Sequence, residues 1–436
     1  MTVPLPKDPA LIGPGEPTIA QAIAAADALS LAESGPVAGH RGQLELGAIA
    51  EAVGIHRIHI LAWRDLADPE AGGSEVHAAN IAAAWAAAGL DVTMRSSSAA
   101  GHPAYASRDG YRVIRKAGRY AVFPRTALSG LAGRTGPRDA MVEVWNGMPF
   151  FSPLWTRCPS VVFLHHVHAE MWRMVIKPRA LARVGEIIEY RIAPPVYRGA
   201  QLVTLSESAK SEIVERLGLP AANIAVVNPG VGLQFTPSPA ANARSDRPLI
   251  VAVGRLVPVK RFDLLVDALV KVHQRHPDLE AIIVGEGYER PALEAQIRAA
   301  GASGWLTLAG RISDEELVAL YRRAWAVASA SLREGWGMTL TEAAACGTPA
   351  VVTDIAGHRD AIITGVSGLL AQPGGPDDPT GVGAALDRFL SKPALRAHLS
   401  AGALEHAAQF TWEATARGTF LALAAEARRR HNRRRV

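Results

Sequence analysis

Residues 248–262 read Pro-Leu-Ile250-Val-Ala-Val-Gly254-Arg255-Leu-Val-Pro-Val-Lys260-Arg261-Phe262. The short apolar run is a buried strand that Gly254 ends, and Arg255 stands at its carboxyl end. Lys260 follows one short loop later, at the start of a helix predicted to reach about Arg275. Ligands of open α/β sheets bind at that edge. Two cations fixed there can neutralise a diphosphate, arginine with a planar fork and lysine as a point charge. The competing reading is a pair of solvated loop cations.

Working outward, further strands are predicted at 279–284, 305–309, 325–329 and 349–352, with helical patterns between them. Upstream, His56–Trp63 is a first strand, and Arg64–Glu75 a loop holding Gly72-Gly73. An Ala-rich helix then runs to Ala88 and a strand resumes at Asp91–Met94. Runs at Met141–Trp145, Ser160–Leu164, Gln201–Leu205 and Ile224–Val227 continue the alternation. Strands alternating with helices imply parallel sheets covered on both faces. A Pro/Ser/Ala-rich stretch from Phe235 to Arg247 marks a boundary between domains. The expected division is 54–237 and 238–409, with residues 1–53 an Ala/Pro/Gly-rich extension outside the main fold. A weak helix is expected at Ile23–Ala32 and a terminal helix at 410–430.

The second informative stretch is Glu334-Gly-Trp-Gly-Met-Thr-Leu-Thr-Glu342. Its first acid lies in a glycine-flanked loop and its second just inside a helix beginning near Thr339. Helix-start N–H groups carry partial positive charge and suit an anion. The same residues also fit a capping box, Thr339 capping and Glu342 bonding back, with Gly335 and Gly337 as turn residues. Together the two stretches resemble the retaining glycosyltransferases of family 4, whose E-x7-E motif has this form.

That resemblance implies the GT-B architecture, two Rossmann-like domains facing across a cleft, with the terminal helix crossing back onto the first. It implies Arg255 and Lys260 on a donor diphosphate, and Glu334 on sugar hydroxyls. Gly335 and the N–H groups of Met338, Thr339 and Leu340 fall to the donor, as does Glu342 on the ribose. Gly72 and Gly73 would let backbone approach the donor, though a Gly-Gly pair is also an ordinary turn. Of His165-His166-Val-His168, the resemblance points to His168, then His166, against the donor sugar, where solvated strand-end histidines are the alternative. Arg311 and Ile312 would lie by the nucleotide base, before a helix that Ser313 and Glu316 cap as a box.

The reaction so implied is transfer of a hexose or related sugar from a nucleotide-sugar donor, with retention, to a glycolipid, polysaccharide or small-molecule acceptor. The alternatives are another GT-B enzyme, an epimerase or phosphorylase, or a non-catalytic membrane-associated scaffold. The chain contains no Asp-x-Asp, and its histidine cluster has no cysteine or second histidine group at ligand spacing, so neither an essential metal nor a cofactor is expected.

Composition bounds the remaining classes. The 436 residues are 49% hydrophobic, enough for two cores. Cys158 and Cys346 are the only cysteines, so no disulfide framework is indicated and a cytoplasmic setting fits. Cys346, inside the predicted helix, reads as packing. No apolar stretch approaches the roughly 20 residues of a spanning helix, and no secretion signal is read at the N-terminus. The net charge of +5 is outweighed by six arginines between Arg428 and Arg435, so the remainder is near neutral. This basic tail, 428–436, offers contact with anionic membrane or is simply solvated. Basic residues organised with aromatic platforms are lacking, so nucleic acid is not expected as a partner.

Overall fold

The computed structural model describes residues 36–169, 171–175, 179–240 and 243–435. The helix expected at Ile23–Ala32 lies outside them. The first sheet has eight strands: β1 (Arg57–Leu61), β2 (Asp91–Ser96), β3 (Tyr105–Arg108), β4 (Tyr111–Arg115), β5 (Ala140–Val144), β6 (Ser160–Phe163), β7 (Gln201–Thr204) and β8 (Ile224–Val226). Their spatial order is β3-β4-β2-β1-β5-β6-β7-β8. The second sheet has six: β9 (Leu249–Val253), β10 (Glu280–Val284), β11 (Leu306–Gly310), β12 (Ala326–Ser329), β13 (Ala350–Thr353) and β14 (Gly368–Ala371), ordered β11-β10-β9-β12-β13-β14. Strand order reverses between β1 and β5 in one sheet and between β9 and β12 in the other. Loops leaving those strands diverge and leave a crevice, so the topology itself selects 254–261 and 330–337 as binding loops.

Three sequence expectations need correction. The first sheet is not wholly parallel, because β3 and β4 form an antiparallel hairpin at its edge. Residues 1–53 are not wholly outside the fold: the helix Pro36–Val53 buries Leu46 and Ala50 in the first domain's core. Its Glu45 also pairs with Arg417. Third, the arginine run is not a separate tail, since the terminal helix extends over Trp412–Arg435. Arg429 and Arg430 both pair with the buried Glu426, and Arg430 donates to the Cys158 carbonyl at 2.7 Å.

That terminal helix crosses back onto the first domain as expected. Trp85, on the helix Gly73–Ala87, donates from Nε1 to the Ala416 carbonyl at 3.0 Å. Its ring meets Phe420 edge-on, 5.8 Å between centroids. Ile58 and Ile60 of β1 and Val92 and Met94 of β2 close the same core. The two chain crossings between domains lie side by side, with Val231 N–H donating to the Phe410 carbonyl at 3.1 Å. Gly230 is required there, because a Cβ would fall 2.2 Å from the Trp412 nitrogen.

Candidate functional site in the interdomain cleft

The loop after β9 and the loop after β12 deliver Lys260 and Glu334 to one point. Lys260 Nζ is ion-paired with Glu334 Oε1, and Ser331 Oγ donates to the same oxygen at 2.9 Å. Burial alone would raise the Glu334 carboxyl. The Lys260 charge, His358 and the hydrogen bonds from Lys260 and Ser331 outweigh that and hold it below the usual carboxylate range. His358 is itself fixed by its Nδ1, which donates to the Thr353 carbonyl at 2.8 Å.

The helix carrying Glu342 spans Met338–Ala345, and its N-cap is Gly337, at φ 104°. Thr339 is therefore inside the helix rather than its cap, and the capping-box reading of Thr339 and Glu342 fails. The left-handed backbone at position 337 favours glycine. Leu340 cannot serve an anion as expected, since its N–H donates to the Gly337 carbonyl at 2.9 Å and its side chain is core. Met338 and Thr339 remain as helix-start N–H groups, which intrahelical bonds cannot satisfy. Glu342 has its carboxyl raised to about 7, chiefly by burial and then by Asp314, with the Tyr321 hydroxyl acting the other way.

The first domain closes on these groups from the opposite side. Gly72 is the N-cap of the helix Gly73–Ala87. Its N–H donates to Glu75 Oε2 at 2.8 Å, and Arg64 holds Glu75 by a buried ion pair at 3.2 Å. The glycine loop is thus fastened from below. Gly72 has an ordinary negative φ of −147°. A Cβ there would come no closer than 3.9 Å to anything, its nearest neighbours being Arg255 Nε and Glu75 Oε2. Neither backbone nor packing calls for glycine at this position. What lies beside it is open space facing the exposed Arg255. Gly73 faces Met338, whose sulfur would be 3.4 Å from an added Cβ.

The histidines occupy the end of β6. His165 and His77 are buried and linked, 3.2 Å between ring nitrogens, and belong to the interior. His166 and His168 are stacked, 4.9 Å between centroids. Glu189 fixes this turn by accepting from the His168 and Ala169 N–H groups at 2.8 and 3.2 Å. The His166 ring abuts Gly335, next to Glu334, while His168 abuts Gly147. Burial lowers His166 to about 3 and His168 to about 4, helped by neighbouring cations that include Arg333 for both. Both rings are therefore neutral at pH 7.

Arg311 and Ile312 lie ahead of a helix whose Ser313–Glu316 capping box is formed in both directions. Arg311 reaches across the cleft to the Pro69 carbonyl, so its side chain is engaged with the first domain. Four groups escaped the sequence reading. Ser331 positions Glu334, and Arg64 positions the glycine loop. Arg333 spans the cleft to the Val167 carbonyl at 3.2 Å and to Glu212. Gly285 and Gly287 admit the loop after β9, as a Cβ would lie 2.0 Å from the Gly254 oxygen or 2.2 Å from that of Leu256. The Gly-x-Gly following a strand was the available signal for the last two. Among the described residues, no group of three or more His, Cys, Asp or Glu is placed to hold a metal ion.

Two facing doubly wound domains with an anion-suited crevice define a class, and comparison with known proteins places the chain within it. Residues 71–235 match the family described as Glycosyltransferase Family 4, and residues 236–406 that described as Glycosyl transferases group 1, the two running end to end. The chain belongs to the family 4 glycosyltransferases of GT-B fold. A D-inositol 3-phosphate glycosyltransferase of Thermobispora bispora is 34% identical over 50% of this chain and 54% of its own length. The matched region thus spans about half the length of that relative. Among solved structures, sucrose-phosphate synthase of Thermosynechococcus elongatus superposes with TM-score 0.69 at 21% identity, covering 83% of this chain and 96% of the other. Anabaena Alr3699/HepE, in complex with UDP-glucose, gives 0.66 at 17% identity, covering 84% and 98%. These two likenesses show the fold.

Proposed function

We propose that this chain transfers a hexose or related sugar from a nucleotide-sugar donor to a hydroxyl acceptor, with retention of anomeric configuration and without an essential metal. The observation that carries the reading is the approach of Arg255 and the Met338 helix start to the glycine loop of the opposite domain, with the Lys260–Glu334 pair nearby and Gly335 against His166. The leaving group is a nucleoside diphosphate, so the barrier falls as charge developing on it is stabilised. Lys260, Arg255 and the Met338 and Thr339 N–H groups are the donors for that charge. Glu334 accepts from sugar hydroxyls and Glu342 from ribose hydroxyls. The reading has the acceptor attack from the leaving-group face and the departing phosphate take its proton. His168 and His166, neutral, donate hydrogen bonds to the sugar. A nucleotide base would lie by the backbone of Arg311 and Ile312.

The relative from Thermobispora makes inositol 3-phosphate the first acceptor to try, and the UDP-glucose complex of HepE makes UDP-glucose the first donor. No helix among the described residues is long and apolar enough to cross a membrane. We place the enzyme in the cytoplasm. A peripheral contact with anionic membrane has better support at exposed Leu181, Val184 and Ile187, beside Arg183 and Arg191, than at the arginine run.

The test is a thermal-shift screen against UDP-, GDP-, ADP- and TDP-sugars, with and without EDTA. A ligand that binds only the folded state raises Tm by mass action. One donor should raise it equally with chelator present, and a shift abolished by EDTA would overturn the metal-free reading. The anomeric proton coupling of the product, measured by NMR, decides retention.

A further inference from the structure

A parallel sheet covered by helices on both faces has strands that are apolar throughout. Three adjacent strands of the first sheet break that rule on one face only. The residues Ile58, Ile60, Val92, Met94 and Val113 point to the core. On the other face His59 of β1 registers with Thr93 of β2, and Thr93 with Arg112 of β4, making a polar row across the sheet. Arg95 stands one step further along β2. His59 and Thr93 are only 4% and 2% exposed. His59 Nδ1, Thr93 Oγ1 and the Nε of Arg95 are all buried without a hydrogen-bond partner. Such groups cost free energy and call for a reason.

The row floors an open pocket of about 630 Å³, within the range of small-molecule sites. Its outer walls are Tyr105 and Ser107 on β3 and the loop Thr135–Pro137. That loop enters β5, so the pocket lies toward the N-terminal edge of the strands, away from the cleft and its glycine loop. The charge around it is lopsided. Arg95 and Arg112 line it, and Arg138 is close enough to depress both His59 and Arg95. The one acid in its wall, Asp91, is taken by Arg112 at 2.7 Å. His59 is neutral, lowered to about 3 by burial and then by these arginines. A hydroxyl, a neutral imidazole and an excess of guanidinium form a set suited to phosphate oxygens and the hydroxyls attached to them.

We propose that this pocket is a second ligand site, binding a small phosphorylated metabolite with its phosphate on Arg95 and Arg112. The probes are glucose 6-phosphate, inorganic phosphate and, as the uncharged control, glucose. Isothermal titration of the full-length protein should show glucose 6-phosphate and inorganic phosphate binding, and glucose not. Arg95→Gln should weaken both anions about tenfold or more, the loss of one charge-assisted contact. Arg112→Gln, at an exposed position, does the same with the fold undisturbed, as circular dichroism verifies. Arg255→Gln, in the cleft, should leave intact the component of anion binding that Arg95→Gln and Arg112→Gln weaken. The proposal is overturned if neither anion binds more tightly than about 10 mM, or if glucose binds as well as its phosphate. It is equally overturned if Arg255→Gln abolishes binding while Arg95→Gln and Arg112→Gln do not. None of these outcomes depends on sugar transfer, so failure here is distinct from failure of the proposed activity.

Discussion

Lys260 and Glu334, 74 residues apart in the chain, are paired in the cleft with side chains only 21% and 17% exposed. Each holds the other where a donor is proposed to bind. Glu334→Gln should lower kcat/KM about 10²–10³-fold, the usual scale for a preorganised polar group facing the reacting sugar, while the fold persists by circular dichroism. Retained transfer by the purified variant would remove Glu334 from the mechanism. The pair also has a signature in acid. The Glu334 carboxyl is held below its ordinary value near 4.5. Its stabilising contribution is therefore full above that pH and lost as pH falls through the lower folded value. Glu334→Gln should show a smaller loss of Tm between neutral and acid pH than the parent protein.

Glu342 titrates in the opposite sense. Because its folded value is raised to about 7, the folded state binds a proton that the unfolded state releases near 4.5. Stability from this group is complete below about 4.5 and declines as pH rises through 7. Glu342→Gln should raise Tm at pH 8 by about 3 °C and leave it nearly unchanged at pH 4. Donor affinity should follow the ionised form in the parent, strengthening as pH passes through about 7, and lose that dependence in the variant. Calorimetric titration of UDP-glucose at pH 6 and pH 8 checks this.

His166 and His168 should contribute no inflection near pH 6.5, since they lose their charge only near 3 and 4. In the Glu342→Gln background the pH profile of kcat/KM should be flat between about pH 5 and 8. These histidines do affect stability in acid: the unfolded chain takes up their protons first, so stability falls as pH drops below about 6.5. His168→Ala should cost about tenfold in kcat through the lost hydrogen bond, and a rate within twofold of the parent would exclude contact with the donor.

Gly73 separates folding from binding. Because an added Cβ meets only the Met338 sulfur at an ordinary 3.4 Å, Gly73→Val should fold with a Tm close to that of the parent. Its extra methyls project into the cleft, so donor affinity should fall about tenfold or more, as overpacking of a filled site costs 1–3 kcal/mol. Tight binding of UDP-glucose by this variant would mean that the glycine loop does not face the donor.

The legible parts of this molecule were those with a local cause. The apolar runs at 279–284, 305–309 and 349–352, each with a glycine or proline at a boundary, produced strands within a residue of their expected limits. The loop after β9 also fell at the crevice, because strand order fixes where crevices form. The β3–β4 hairpin was overlooked although Asp109-Gly110, both at positive φ, is a strong two-residue turn signal. Its strands, Tyr-Ala-Ser-Arg and Tyr-Arg-Val-Ile-Arg, alternate in burial rather than in residue type and are not continuous apolar runs. The capping-box reading of Thr339 failed for a different reason. Gly337 can adopt a backbone angle that starts the helix two residues earlier, and such a choice depends on how Leu340 and His358 pack around it. Arg333 had no signal of its own, because its partner Val167 is distant in sequence, while Ser331 and Arg64 act on Glu334 and Glu75 nearby through loop geometry that residue type does not encode.

The terminal helix has a consequence for how the chain is made. Phe420, Leu423 and Ala424 are needed to seal an interior whose other walls are translated hundreds of residues earlier. The half synthesised second can close as soon as its own strands emerge, whereas the half synthesised first must stay unsealed until Trp412–Arg435 has been made. Its apolar helix Gly73–Ala87 is uncovered during that interval, so nascent chains should be most vulnerable to aggregation before the helix Trp412–Arg435 emerges.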